Sequence, residues 1–372
     1  MNIFRSRPWL RWAVPGVAAV LLTGGGAAVT ALSATARGGL SPRSAAQLLV
    51  DVQNAKLQGL SGTVVQTSNL GLPSLPDVGG GGSSDLSSLV SGSHTLRVWY
   101  AGPERMRLAL LGSFGESDVI RNGTDLWSWS STTKSATHQT LKKSAQDPSS
   151  LKPDTSGLTP QQLADQALKA ISPSTRVTTD GTAVVAGRSA YELVLQPRTA
   201  DSLVGSVRIA IDGATHIPTR VQLYARNATS PAFEVGFTSF SPHVPDASVF
   251  RFNPPPGTKV TQGSPLASLG SPGGRHSASM PSTSGTQAPP TVGPQGEARR
   301  IVGSGWTSVL VAKTPDMGPL GGVAGVLPKV SGAWGSGRLL SGSLFSVLLT
   351  DDGRVVVGAV PPRLLYDAIA RG

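Results

Sequence analysis

The chain has no cysteine. That excludes disulfides, thiolate metal sites and a lipid-modified cysteine near the N-terminus, and it leaves the redox compartment unread. Charge is scarce as well, at 14% of residues against roughly 25% in an average soluble domain. Basic residues outnumber acidic ones 32 to 21, for a net charge of +11, which suits an anionic partner such as a lipid headgroup or a wall polymer. The arginines and lysines are scattered singly and form no stripe, so nucleic acid is not the expected partner. The five histidines, His94, His138, His216, His243 and His276, never recur at the spacing of metal ligands on a helix face. No Gly-x-Ser-x-Gly elbow and no phosphate-binding loop is present. Asp351-Asp352 stands beside Gly353, where turn chemistry alone calls for aspartate. Asn122-Gly123-Thr124 matches a glycosylation sequon but reads better as a turn, and Asn227-Ala228-Thr229 carries little weight. No catalytic set, metal site or cofactor pocket can be assembled, and an enzyme is not expected.

Glycine (45) and proline (29) are plentiful and announce many turns and some linker. At the N-terminus Arg5, Arg7 and Arg11 precede a run from Trp12 to Ala36 without a charged residue. A basic start followed by an apolar run is an export signal, and its positive end stays in the cytoplasm. Ala34-Thr35-Ala36 offers a cleavage site, while a run of about 20 residues also suffices to span a bilayer uncleaved. The expectation is therefore a signal peptide or a membrane anchor, with the rest of the chain in the periplasm or on the outer face of the cytoplasmic membrane.

The stretch from Thr95 to Leu141 sets the pattern for the remainder of the chain. Leu96, Val98 and Tyr100 alternate with Arg97 and Trp99; past Gly102-Pro103, Met106, Leu108 and Leu110 alternate with Arg105, Arg107 and Ala109. Two residues per repeat is the period of a strand with one buried face. Ser117–Ile120 leads into Asn122-Gly123, a favoured hairpin turn. The next strand, Thr124–Ser130, carries Leu126 on one face and Trp127 and Trp129 on the other, and a last one lies near Ala136–Leu141. A helix is expected from Ser41-Pro42 to about Leu57, with Ser41 as cap and Pro42 at the first helical position, followed by a strand over Gly62–Thr67. Leu70–Ser93 is a Gly/Ser/Pro/Leu insertion. A second helix is expected from Thr159-Pro160 to Ile171. Further strands are expected at Thr175–Thr179, Ala183–Ala186, Ser189–Gln196, Ser206–Asp212, Pro218–Arg226 and Phe233–Phe240. About eleven antiparallel strands with one apolar face must close, pair or curl around something.

In order and spacing these features resemble a known family. A helix precedes the first strand; a strand pair is joined through Gly102-Pro103; Asn122-Gly123-Thr124-Asp125-Leu126-Trp127-Ser128-Trp129 comes next. Gly187-Arg188-Ser189-Ala190-Tyr191-Glu192-Leu193 and Ile211-Asp212 with Ile217-Pro218-Thr219-Arg220 come later. Together, over roughly Ser41 to Phe252, they resemble the LolA/LolB-like lipoprotein carriers and the related RseB/MucB regulators of sigma-E signalling. The resemblance implies a mainly β (α+β) fold: a LolA-like, curved antiparallel half-barrel of about eleven strands lidded by two helices, with an apolar hollow for acyl chains. The insertion and the C-terminal extension depart from the simple carriers.

The expected division is 1–40 for the signal or anchor, 41–257 for the half-barrel, 258–298 for a disordered Gly/Ser/Pro linker and 299–372 for a small α+β unit. In that unit Trp306–Ala312 is expected as a strand, Leu339–Leu349 as strand or helix, and Asp352-Gly353 as a hairpin turn ahead of a final helix to Ala370. The candidates for lining the hollow are Trp99, Leu108, Leu110, Trp127 and Trp129 from the first meander. From the later strands they are Leu193, Leu195, Ile209, Ile211, Val221, Leu223, Phe233, Val235 and Phe237. For the three tryptophans, core filling and ligand lining both stay open. The partners expected are lipid or lipoprotein acyl chains, the membrane through the N-terminal segment, and, in the regulatory alternative, an anti-sigma factor.

Overall fold

The structure is a computed structural model that describes residues 40–72, 89, 91–141, 173–263, 299–313 and 325–370. β1 (Leu60–Ser68) lies in the middle of a twelve-stranded sheet and joins two meanders. On one side run β2 (Gly92–Tyr100), β3 (Arg105–Gly112), β4 (Gly115–Asn122), β5 (Asp125–Ser130) and β6 (Ser135–Thr140). The other meander consists of β7 (Thr175–Val185), β8 (Arg188–Pro197), β9 (Val204–Asp212), β10 (Pro218–Ala225) and β11 (Phe233–Ser241), the last of which pairs antiparallel with β1. The sheet is large, open and curved, as the alternation and the family resemblance imply. Its tight turns use glycines in the left-handed region, Gly102 at φ +86° and Gly123 at φ +64°, where a Cβ is disfavoured.

Several details differ from expectation. Thr175–Thr179 and Ala183–Ala186 are one strand, β7, whose register shifts between Thr179 and Thr182; a bulge looks like a break when only alternation is read. β11 is not the last strand of this sheet. Residues 242–258 cross the face of β3 and β4 through a short 3-10 helix, Ala247–Phe250, and β12 (Lys259–Gln262) then pairs in parallel with β6. The first helix, α1 (Ala45–Asn54), is capped by Ser44 rather than Ser41. Ser44 Oγ accepts from Gln47 N at 3.2 Å and Gln47 Oε1 accepts from Ser44 N at 2.9 Å, a reciprocal box that satisfies two end donors. The N-terminal export segment, most of the insertion, the helix expected at 160–171 and most of the linker lie outside the described residues.

A second sheet has the order β13-β14-β18-β17-β16-β15. Its strands are β13 (Arg299–Val302), β14 (Val309–Lys313), β15 (Lys329–Gly332), β16 (Gly335–Ser341), β17 (Ser346–Thr350) and β18 (Arg354–Gly358), and α2 (Pro362–Ala370) covers one side. Trp306 sits in a 3-10 turn ahead of β14, and Leu339–Leu349 spans the β16–β17 hairpin. This sheet is docked on the first. The Trp306 indole donates to Thr175 Oγ1 at 2.8 Å, and Leu203 N donates to the Ala359 carbonyl at 2.8 Å.

Candidate ligand-binding face

Strand register sorts every candidate side chain onto one of two faces, because cross-strand partners point the same way. Leu60, Val64, Leu96, Val98, Leu108 and Leu110 share a face. Val64 is opposite Phe237, and Val235 is opposite Val221; from there Ile209, Leu193, Leu223, Val207 and Leu195 continue on the same face, as do Phe233, Ile211 and Tyr191. This is the inner face, against which α1 packs through Leu48.

Two apolar clusters tile the inner face and meet at Val235. One joins Leu193, Leu195, Ile209, Ile211 and Val221 to Leu48 of α1 and to Trp306 and Leu344 of the second sheet. Those strand residues are sealed by the chain itself; Ile211 is fully buried and Leu193 is 2% exposed. The other cluster gathers Leu60, Val64, Leu96, Val98, Tyr100 and Leu110. Leu108, Leu223, Phe233, Val235 and Phe237 are only half-buried at the margins of the two.

The three tryptophans do not belong with them. Register places Trp99 beside Arg107, Ile120, Trp127 and His138, and Trp129 beside Asp118, all on the outer face. The physical reason is parity: Trp99 comes directly after inner-facing Val98, and Trp127 and Trp129 flank inner-facing Ser128. Residues 242–258 cover them. Phe250 is buried, and Phe252 lies 5.2 Å from the Trp127 ring and 6.1 Å from that of Trp129. His138 stacks on Trp127 at 4.2 Å and meets Asp125 Oδ1 at 2.9 Å. Arg107 lies over the Trp99 ring at 5.5 Å, a cation–π contact, and reaches the Val249 carbonyl at 3.4 Å.

Buried polar groups on both faces escape the sequence reading. On the outer face Asp118 is held by Arg107, yet its Oδ1, Arg107 Nε and Trp129 Nε1 have no partner. Burial pushes the Asp118 carboxyl up to about 7, against the pull of Arg107 and with help from nearby Glu116. Asp212 shows the opposite balance. Burial would raise its carboxyl, but Arg188 Nε at 2.6 Å and Nη2 at 2.9 Å, together with Thr215 N and Oγ1 at 2.8 Å, bring it below the ordinary value. The Gly187-Arg188 and Ile211-Asp212 phrases thus form a structural clamp at the β8–β9 end. On the inner face Gln66 and His94 are cross-strand partners, 4% and 3% exposed. The only sequence signal for Gln66 is a polar residue two places after Val64 in a strand whose inner positions are otherwise apolar or small.

No family model matches the chain, and no curated protein does. Among solved structures, the chain is similar to MucB. The complex of Pseudomonas aeruginosa MucA and MucB matches at 17% identity and TM-score 0.41, covering 87% of this chain and 96% of that one. MucB in complex with MucA(peri) matches at 15% identity and TM-score 0.40, covering 87% and 94%. A LolA superfamily protein from Nitrosomonas europaea matches at 11% identity and TM-score 0.19, covering 57% of this chain and 99% of that one. Among the described residues no helix is long and apolar enough to cross a membrane, and no group of three or more histidines, aspartates and glutamates could hold a metal ion.

Proposed function

We propose that this is an exported protein that holds the acyl chains of a lipid or lipoprotein against the inner face of its curved sheet, as a carrier or sensor in the cell envelope. The observation that carries the reading is the group of half-buried Leu223, Phe233, Val235 and Phe237 on β10 and β11, where the two clusters meet, with half-buried Leu108 at the far margin of one of them, all on one face. Apolar side chains in that position gain by covering a guest's hydrocarbon, at about 0.8 kcal/mol per buried methylene. The N-terminal run supplies export, and in the uncleaved form it keeps the domain at the membrane that provides the guest. Trp99, Trp127 and Trp129 are assigned to the outer-face core.

The test is extraction and mass spectrometry of lipid from the purified chain, with uptake of a fluorescent fatty acid as a second measure. Phe233→Arg places a charge on the half-buried β10–β11 group and is expected to weaken uptake at least tenfold while leaving the fold intact. A chain that carries no lipid and takes up none overturns the reading. The regulatory alternative uses the same face to dock the extracytoplasmic segment of an anti-sigma factor; recovery of a membrane-anchored polypeptide without lipid in a pull-down would favour it.

A further inference from the structure

Gln66 stands out on the inner face. It is 4% exposed, and neither its amide oxygen nor its amide nitrogen has a hydrogen-bond partner. Among the described residues no other side chain leaves both a buried donor and a buried acceptor of one amide unmet. Leaving such groups unpaired is unfavourable, so this residue destabilises a strand whose neighbouring Val64 and cross-strand Val235 are apolar. Val235 is also the residue at which the two apolar clusters meet. On the other side stands His94, whose Nε2 lies 2.8 Å from the Ser91 carbonyl; a carbonyl can only accept, which fixes the proton on Nε2.

We propose that Gln66 is the polar anchor of the guest site and that the group it takes is a secondary amide within an otherwise apolar chain, as in an amide-linked acyl lipid. The inference rests on the acyl-binding reading above and deepens it. A primary amide side chain presents one acceptor and a pair of donors on a single plane. The N–H of a guest amide donates to Gln66 Oε1; a trans amide points its carbonyl the opposite way, so Gln66 Nε2 donates to a further acceptor of the guest, such as an ether or second carbonyl oxygen. An ester carbonyl can only accept, and it leaves Oε1 unmet in a dry site. The apolar surfaces flanking Gln66 on both sides require a guest that is hydrocarbon beyond that group. A site built around a hydrogen bond rejects the analogue that lacks it far more strongly than an apolar pocket rejects a missing methylene.

The experiment compares two probes of one shape on the full chain: N-(2-methoxyethyl)hexadecanamide and its ester counterpart, 2-methoxyethyl hexadecanoate, neither of which carries a hydroxyl donor. The wild type is expected to bind the amide roughly tenfold or more tighter, the equivalent of about 1.4 kcal/mol. Gln66→Leu keeps the volume and removes both polar atoms. It is expected to abolish the ratio, leave ester binding equal or stronger, and raise the denaturation midpoint. Gln66→Met is the second variant and should behave in the same way. Equal binding of the two probes by the wild type, or a ratio that survives in both variants, overturns this inference and leaves acyl binding standing. Binding of neither probe overturns both. Full competition by an extended peptide with no acyl chain also overturns it and assigns the amide recognition to a polypeptide.

Discussion

Asp118→Asn separates two forces that act on one carboxylate. Arg107 pairs with Asp118 and favours its charge, whereas complete burial of the side chain and an unpartnered Oδ1 disfavour it. Burial wins, and the folded carboxyl titrates at about 7 rather than 3.8. A raised carboxylate value means that the folded state holds its proton more tightly than the unfolded chain. The stabilisation is therefore complete below about pH 4 and is lost as pH rises to about 7. Three units at 1.36 kcal/mol each amount to about 4 kcal/mol. Asparagine cannot ionise, so it carries no such pH dependence. Urea unfolding monitored by tryptophan fluorescence, with Trp127 and Trp129 close by, is run for both proteins between pH 4 and pH 8. The stability of the variant relative to the wild type is expected to rise by about 4 kcal/mol across that window, whatever its offset at pH 4. A difference that stays flat, or one that falls with rising pH, would falsify the reasoning and show that the Arg107 pair keeps Asp118 charged.

Three further substitutions probe other contacts. Asp212→Asn breaks the buried clamp with Arg188 and is expected to cost about 3–5 kcal/mol at pH 7, measured by urea unfolding. Because the folded carboxyl is lowered, this contribution is present above about pH 4 and disappears as pH falls through the folded value, the reverse of Asp118. Trp306→Phe removes the indole donor to Thr175, which is itself fully buried. About 1–3 kcal/mol is lost, read as faster amide exchange in β13 and β14 with little change in β2 to β5. Gly62→Ala brings a methyl to 2.3 Å from the Ser239 carbonyl and 2.8 Å from the Phe237 ring. The overpacking is expected to cost about 1–3 kcal/mol and to lower the thermal midpoint.

The alternation of Leu96, Val98 and Tyr100 with Arg97 and Trp99 is enough to read the sheet and to separate its faces, because strand parity is local. The same parity already places Trp99 and Trp127 opposite Leu108. What a sequence does not disclose is the cover: residues 242–258, proline-bearing and polar, carry no pattern that announces a crossing over β3 and β4. The parallel pairing of β12 with β6 joins Lys259 to Ser135, a contact whose partner lies far along the chain and leaves no trace in either segment. The helix cap is Ser44 rather than Ser41 because Gln47 completes a reciprocal pair only with the former. At the site, apolar composition points to Val235 and Phe237 directly. Gln66 is hidden in the sequence because one polar residue in a strand is ordinary until its neighbours are shown to seal it.

β12 lies along one rim of the long sheet, and Trp306 grips β7 at the opposite rim. Eleven strand spacings of roughly 4.8 Å would put those rims about 50 Å apart if the sheet were flat, and curvature shortens the span. At about 3.4 Å per extended residue, the connection from residue 264 to 298 has length to spare over the fifteen or so residues that a flat crossing needs. Cutting it back to a tight loop would force a choice between peeling β12 away from β6 and prising the second sheet from β7. The tether is thus a ruler with a minimum length, and moderate trimming should pass unnoticed until that length is reached.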